Sequence, residues 1–141
     1  MKLRPDRTID HFNSLGHERL PGWFGLRTTR VAQGELTMQL DIQPQFLAPN
    51  GYLHAATVIA LADTGCGYAC MAHLPEGAAN FTTIELKANF LGTAREGTLQ
   101  ALCKAVHLGR NTHVWDATVA DLASGKTLAL FRCTQMILWP R

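Results

Sequence analysis

The sequence predicts an α+β fold in which an antiparallel sheet of five to six strands packs on one long central helix. Three observations predict it. Residues 55–72 are apolar or small almost throughout, four later segments alternate in polarity, and short turns join those segments. A helix apolar around its circumference belongs in an interior. Alternation with period two marks half-buried strands, and short connections favour antiparallel neighbours. The helix carries one carboxylate, Asp63, in its middle. A lone Asp facing an apolar interior is costly unless something needs it there, so Asp63 is the first functional candidate.

Length and composition bound the alternatives. The chain has 141 residues, which suits one domain over 1–141 with residues 1–20 as an N-terminal extension. Hydrophobic residues make up 47% and charged residues 17%, enough to fill a core and leave apolar area for a subunit interface. Net charge is +2 and the cations are scattered, so no basic stripe points to nucleic acid. The helix is near bilayer-spanning length, but Asp63, Thr57, Thr64 and its glycines argue against a membrane. The opening MKLRPDR lacks the apolar run of a signal peptide. Cys66, Cys70, Cys103 and Cys133 form no C-x-x-C pair, which points to a reduced, cytoplasmic protein without structural zinc.

Taken in order, Thr8 caps a short helix reaching His17, with Ile9, Phe12 and Leu15 at helical spacing, and Leu20-Pro21-Gly22 ends it. A first strand covers Gly25 to Arg30. From Glu35 to Ile42, Leu36, Met38, Leu40 and Ile42 share one face, leaving Thr37, Gln39 and Asp41 on the other. A loop with Pro49 and Asn50-Gly51 precedes the helix, which stops at Pro75. The later strands are Thr82–Leu91, Gly97–Leu108, Thr112–Asp121 and Thr127–Trp139, most simply a meander. In the first of these, Ile84, Leu86, Ala88 and Phe90 oppose Thr83, Glu85, Lys87 and Asn89. No G-x-G-x-x-G or P-loop follows any strand.

The segment Gly51-Tyr52-Leu53-His54-Ala55-Ala56, continued by Leu61-Ala62-Asp63-Thr64, resembles the loop-and-helix signature of hotdog-fold acyl-CoA thioesterases. The likeness is greatest to the branch with the phenylacetate-pathway and 4-hydroxybenzoyl-CoA enzymes. It continues through Ile84–Leu91, Ala94-Arg95-Glu96-Gly97, His107-Leu108-Gly109-Arg110 and Val114-Trp115, and so covers residues 22–138. The resemblance implies a sheet wrapped around the helix, a homodimer or homotetramer built by pairing edge strands, and active sites at the subunit boundary. It implies no cofactor and no metal.

Helix geometry bears on that arrangement. The start of the helix at His54 and Ala55 offers unpaired N–H groups and the positive end of the dipole. Asp63 lies nine residues after His54, about 13.5 Å further along the axis and about 180° around it, so one chain does not readily aim both at one carbonyl. Two antiparallel chains do.

The implied reaction is hydrolysis of an acyl-CoA thioester. The N–H of Ala55, with or without its neighbours, polarises the carbonyl, and Asp63 acts as general base or as nucleophile. By resemblance Thr83 orients the water or Asp63, although strand alternation groups it with Glu85 and Lys87, leaving Thr82 as the other choice. His54 orients the loop or contacts the thioester. Arg95, Lys104 and Arg110 are candidates for the phosphates of coenzyme A. Two departures stand out. Many relatives have a glycine pair where this chain has Ala55-Ala56, and an Asn or Gln where it has Ala48; Asn50 is the nearest amide. A hydratase or dehydratase acting on acyl thioesters, and a non-catalytic acyl-CoA binding module, are the alternative functions. Each is separable by its reaction: reversible water addition in the first, binding without turnover in the second.

Overall fold

The computed structural model describes all 141 residues. In chain order the elements are α1 (Ile9–Leu15), α2 (Leu20–Phe24), β1 (Arg27–Ala32) and β2 (Glu35–Asp41). A 3-10 turn (Pro44–Phe46) leads to α3 (Ala55–Ala72), followed by β3 (Asn80–Phe90), β4 (Thr98–Leu108), β5 (Thr112–Asp121) and β6 (Thr127–Leu138). The six strands form one sheet in the order β1-β2-β4-β5-β6-β3, antiparallel throughout, with α3 packed on its concave side. This is the expected α+β architecture.

Local chemistry explains most of the elements. Thr8 caps α1 by accepting a hydrogen bond from His11 N at 3.2 Å, and buried Phe12 stacks on Tyr68 of α3 with ring centroids 4.9 Å apart. On β2, Leu36, Met38 and Leu40 are fully buried, as their alternation predicts. The same regularity puts Leu99, Ala101 and Cys103 of β4 and Trp115, Ala117 and Val119 of β5 into the core. The helix lies close to the sheet at Gly65, where an added Cβ would come within 2.7 Å of Cys103 Sγ. All four cysteines are free thiols.

The structure corrects three expectations. Leu20-Pro21-Gly22 does not only end a helix. It opens α2, because Pro21 fits the first turn, where no N–H partner is required. The later strands are not a simple meander. Strands β4, β5 and β6 are consecutive neighbours, but β3 lies beyond β6, at the sheet edge, and the segment after Phe90 crosses back to β4. Pairing partners far apart in sequence leave no local signature, so hairpin logic misplaces β3. Finally, α3 is not enclosed on every side. Ala56 is exposed, and Ile59, Ala60, Asp63 and Thr64 are only partly covered. The open stripe of the helix is the one that carries the carboxylate.

Candidate active site

The loop before α3 is a tight ring that aims the first turn of the helix. Ala48 N donates to Tyr52 O at 2.6 Å and Gly51 N to Ala48 O at 2.8 Å, while Leu47 and Leu53 bridge in antiparallel fashion. Gly51 has φ +82°, a backbone region that favours glycine, which is the reason for an Asn-Gly pair here. The carbonyl of Phe46 accepts both His54 N at 3.1 Å and the buried Thr57 hydroxyl at 2.8 Å. These bonds lock the ring to the helix.

At the helix start, three of the first four N–H groups are already engaged. His54 is the N-cap, and its Nδ1 accepts from Ala56 N at 2.9 Å. His54 O receives Thr57 N at 3.0 Å and Val58 N at 3.5 Å. The neighbours expected to assist Ala55 are therefore occupied, and the Ala55 N–H is the donor left over. A ring that accepts at Nδ1 carries its proton on Nε2 when neutral. His54 is exposed, and its Nε2 makes no hydrogen bond within the chain. The free Ala55 N–H at the start of the helix offers a cradle for a negatively charged oxygen.

Asp63 sits two and a half turns along α3. Its Oδ1 is sealed from solvent and has no hydrogen-bond partner. Burial raises its pKa above the usual carboxylate value, and the Thr83 hydroxyl partly offsets this. The approach of Thr83 corrects the alternation read from the sequence. A bulge between Thr83 and Glu85 breaks the β3–β6 register, so Phe81 and Thr83 pair with inward-facing Ile137 and Gln135. Beyond the bulge, Leu86 and Ala88 pair with inward-facing Cys133 and Phe131, and Ile84 is left exposed. Thr83 thus faces the helix, and Thr82 faces out.

The other candidates separate by place. Asn50 is exposed, and its Oδ1 is taken by Tyr52 N at 3.2 Å in an Asx turn. Arg95 stacks on the Tyr52 ring at 5.0 Å, and Thr93 Oγ1 accepts Leu53 N at 3.2 Å, so the β3–β4 crossover abuts the loop before α3. Lys104 lies on the outer face of the sheet, 3.7 Å from Glu35. Arg110 stacks on Trp139 at 5.0 Å, by the C-terminal end of α3. Within one chain, then, only Arg95 neighbours the cradle.

Sequence reasoning passed over two features. Gln135 is fully buried between Thr83 and Cys133. The signal was one polar residue in the inward row Ala129, Phe131, Cys133, Gln135, Ile137. Trp23 is 66% exposed beside Phe24 and Phe46, with Trp23–Phe24 and Phe24–Phe46 centroids 5.0 and 4.8 Å apart. This aromatic cluster is tied to the cradle through the Phe46 carbonyl.

Comparison with known proteins identifies the family of the chain. The family model of the thioesterase superfamily matches residues 50–127. A 1,4-dihydroxy-2-naphthoyl-CoA hydrolase of Escherichia coli is 28% identical over 134 residues, spanning 93% of this chain and 95% of that protein. A Listeria monocytogenes protein of the same name is 28% identical over 78% of this chain and 88% of its own length. A crystal structure of a mutant thioesterase from Pseudomonas aeruginosa superposes with TM-score 0.91 at 25% identity, covering 98% of this chain and 99% of the other. The chain therefore belongs to the thioesterase superfamily and is a thioesterase of the hotdog fold.

Proposed function

We propose that this protein hydrolyses an aromatic acyl-CoA thioester at a site shared by two copies of the chain. The carrying observation is one leftover donor, Ala55 N–H, and one orphaned, half-buried acid, Asp63, held on the same rigid helix about 12 Å apart along its axis. A second copy, placed antiparallel through the free edge of β3, offers its Asp63 to the cradle of the first. The exposed Ile84 and the open stripe of α3 supply apolar area for that contact.

In this reading the thioester oxygen enters the cradle of Ala55 N–H and His54 Nε2–H, which hold the developing oxyanion. Asp63 of the other chain removes a proton from water as general base, or attacks the carbonyl carbon itself to give a mixed anhydride that water then cleaves. Either route releases the CoA thiolate and needs Asp63 ionised. The methyl groups of Ala55 and Ala56 narrow the approach without removing a donor. Arg95 is the cation suited to the phosphates of coenzyme A. The Trp23–Phe24–Phe46 cluster and the names of the two curated relatives support an aromatic acyl group. The free thiols suit a cytoplasmic setting.

The test is thiol release from aryl- and fatty-acyl-CoAs by wild type and Asp63→Asn. The expected result is turnover favouring aryl substrates and a loss of about a thousandfold in the variant, the range of a missing general base. Equal activity in the two proteins would make Asp63 structural and the mechanism wrong. Tight acyl-CoA binding without thiol release would favour the binding module.

A further inference from the structure

The interior beside Asp63 holds a chain of polar groups that the reaction as drawn does not use. Gln135 lies on β6 at a position whose neighbours in the inward row, Cys133 and Ile137, are apolar in character, and it has no exposed surface. Burying a primary amide there is costly, and a Leu or Met would fill the space at no such cost. The amide is engaged at both ends. Thr83 Oγ1 donates to Gln135 Oε1 at 2.8 Å, and Gln135 Nε2 donates to Cys133 Sγ at 3.3 Å. Thr83 is presented to it by the bulge in β3, without which the hydroxyl would face out. Thr83 faces α3, and its hydroxyl is the one group besides burial that shifts the Asp63 carboxyl.

From this geometry we infer that Gln135 is a positioning residue which, through Thr83, matches the hydrogen bonding of Asp63 to its protonation state. The inference rests on the assignment of Asp63 as the acid of the reaction. A threonine hydroxyl has one proton to donate. In the arrangement seen here that proton goes to Gln135 Oε1, which leaves Thr83 able to accept from a protonated Asp63. When Asp63 is ionised it needs a donor instead. Turning the Gln135 amide over exchanges Nε2 and Oε1, so that the amide donates to Thr83 and Thr83 donates to the carboxylate. Oε1 then faces the Cys133 thiol, which can donate to it. No proton leaves the chain in this exchange; each hydrogen bond only reverses direction. An amide does this because it carries a donor and an acceptor side by side, and an apolar residue does not.

The surroundings leave this chain as the main control on the acid. The titratable groups turned into the interior on the packed elements are Cys66, Tyr68 and Cys70 of α3, Cys103 of β4, His113 of β5 and Cys133 of β6, while Glu85, Lys87, Lys104, Asp116 and Arg132 lie on the outer face. No charged side chain of the chain shifts Asp63, only burial and Thr83. Hydrogen bonding with Cys103 and Cys133, together with burial, keeps the Cys66 thiol protonated, and burial keeps Tyr68 protonated and His113 uncharged near neutrality.

The experiment is the pH profile of kcat/KM for wild type, Gln135→Met, Thr83→Val and the double variant, with Asp63→Asn as reference. Methionine keeps the volume and removes both amide functions. The expected result is an acid limb moved up by about one pH unit in Thr83→Val, which loses the donor to the carboxylate, and moved down in Gln135→Met, where nothing competes with Asp63 for the Thr83 proton, with kcat lowered about tenfold and KM nearly unchanged. The double variant should behave as Thr83→Val alone, because Gln135 reaches Asp63 only through Thr83. A lowered melting temperature with an unmoved acid limb overturns the inference and leaves Gln135 as packing. If Gln135→Met does not fold, Gln135→Leu, which also removes the amide, is read in its place, and an unmoved acid limb there overturns the inference. An Asp63→Asn protein as active as wild type overturns the inference together with the mechanism. Loss in Asp63→Asn with unmoved limbs elsewhere overturns the inference only.

Discussion

The two ends of α3 each carry a histidine, and the contrast between them separates function from structure. At the N-terminal end His54 is exposed and caps the helix through Nδ1, leaving Nε2 free. At the C-terminal end His73 is fully buried, and both ring nitrogens are used. Nδ1 donates to Ala69 O at 2.8 Å, and Nε2 accepts Gly34 N at 2.9 Å. Around His73 the helix is sealed by Cys70, Ala72, Trp115 and His113. Around His54 it is open, and Ala55 N–H has nothing to bind. Polar groups that are satisfied and enclosed hold a fold together. Polar groups that are aimed outward or left without partners, as at Ala55 and Asp63, are where a ligand or a second chain is expected.

The sharpest way to break the comparison is at the open end. His54→Asn keeps a side chain that caps well but removes the Nε2–H. Thiol release should fall by about tenfold to a hundredfold while the melting temperature holds, because one oxyanion donor is lost and the cap is not. A variant of unchanged activity would reduce His54 to a cap. Asp63→Asn carries a second expectation here. Its folded pKa is raised, so the acid favours folding only below its ordinary value near 3.8 and opposes it as pH rises through the folded pKa. The asparagine protein should therefore melt higher than wild type at neutral pH, and the gap should close in acid.

At the closed end the signs reverse. His73→Leu should cost about 2 kcal/mol by leaving Gly34 N without an acceptor, with kcat of the folded protein unchanged. Denaturant titration beside a rate assay reads both.

The smallest effect is the slope of stability with pH. Burial holds His73 below its usual value and pushes His113 down to about 4. Both favour the fold fully above 6.5, where the unfolded imidazole is neutral, and that contribution is lost as pH falls toward about 4. Melting temperatures between pH 7 and pH 4 should decline, and His113→Gln should flatten the decline. Equal slopes would mean that His113 does not report acid opening.

Much of this was legible in the sequence for a physical reason. Alternation in β2, β4 and β5 and the apolar run of α3 are local, so the elements and the core follow from the chain alone. Asp63 was legible because an acid in an apolar helix is costly, and Ala55 because helix starts have free donors. What escaped notice depends on distant partners. The place of β3 at the edge is decided by pairing with β6. Its bulge, unmarked by Gly or Pro, turns Thr83 inward. Gln135 gains meaning only beside Thr83. The exposure of Trp23 follows from α2, which Pro21 starts instead of preventing.

The central claim is that cradle and acid come from different chains, and mixing two inactive variants tests it directly. Ala55→Pro removes the key N–H at the one helical position where proline is well tolerated, and His54, at φ −70° and ψ 135°, already has the backbone that precedes a proline. Asp63→Asn removes the acid. Each protein alone should be nearly inactive. Unfolded together and refolded, half of the dimers should be mixed, each with one intact site of two, and activity should return to about a quarter of wild type. No recovery, from variants that fold and exchange subunits, would place donor and acid in one chain and contradict the account.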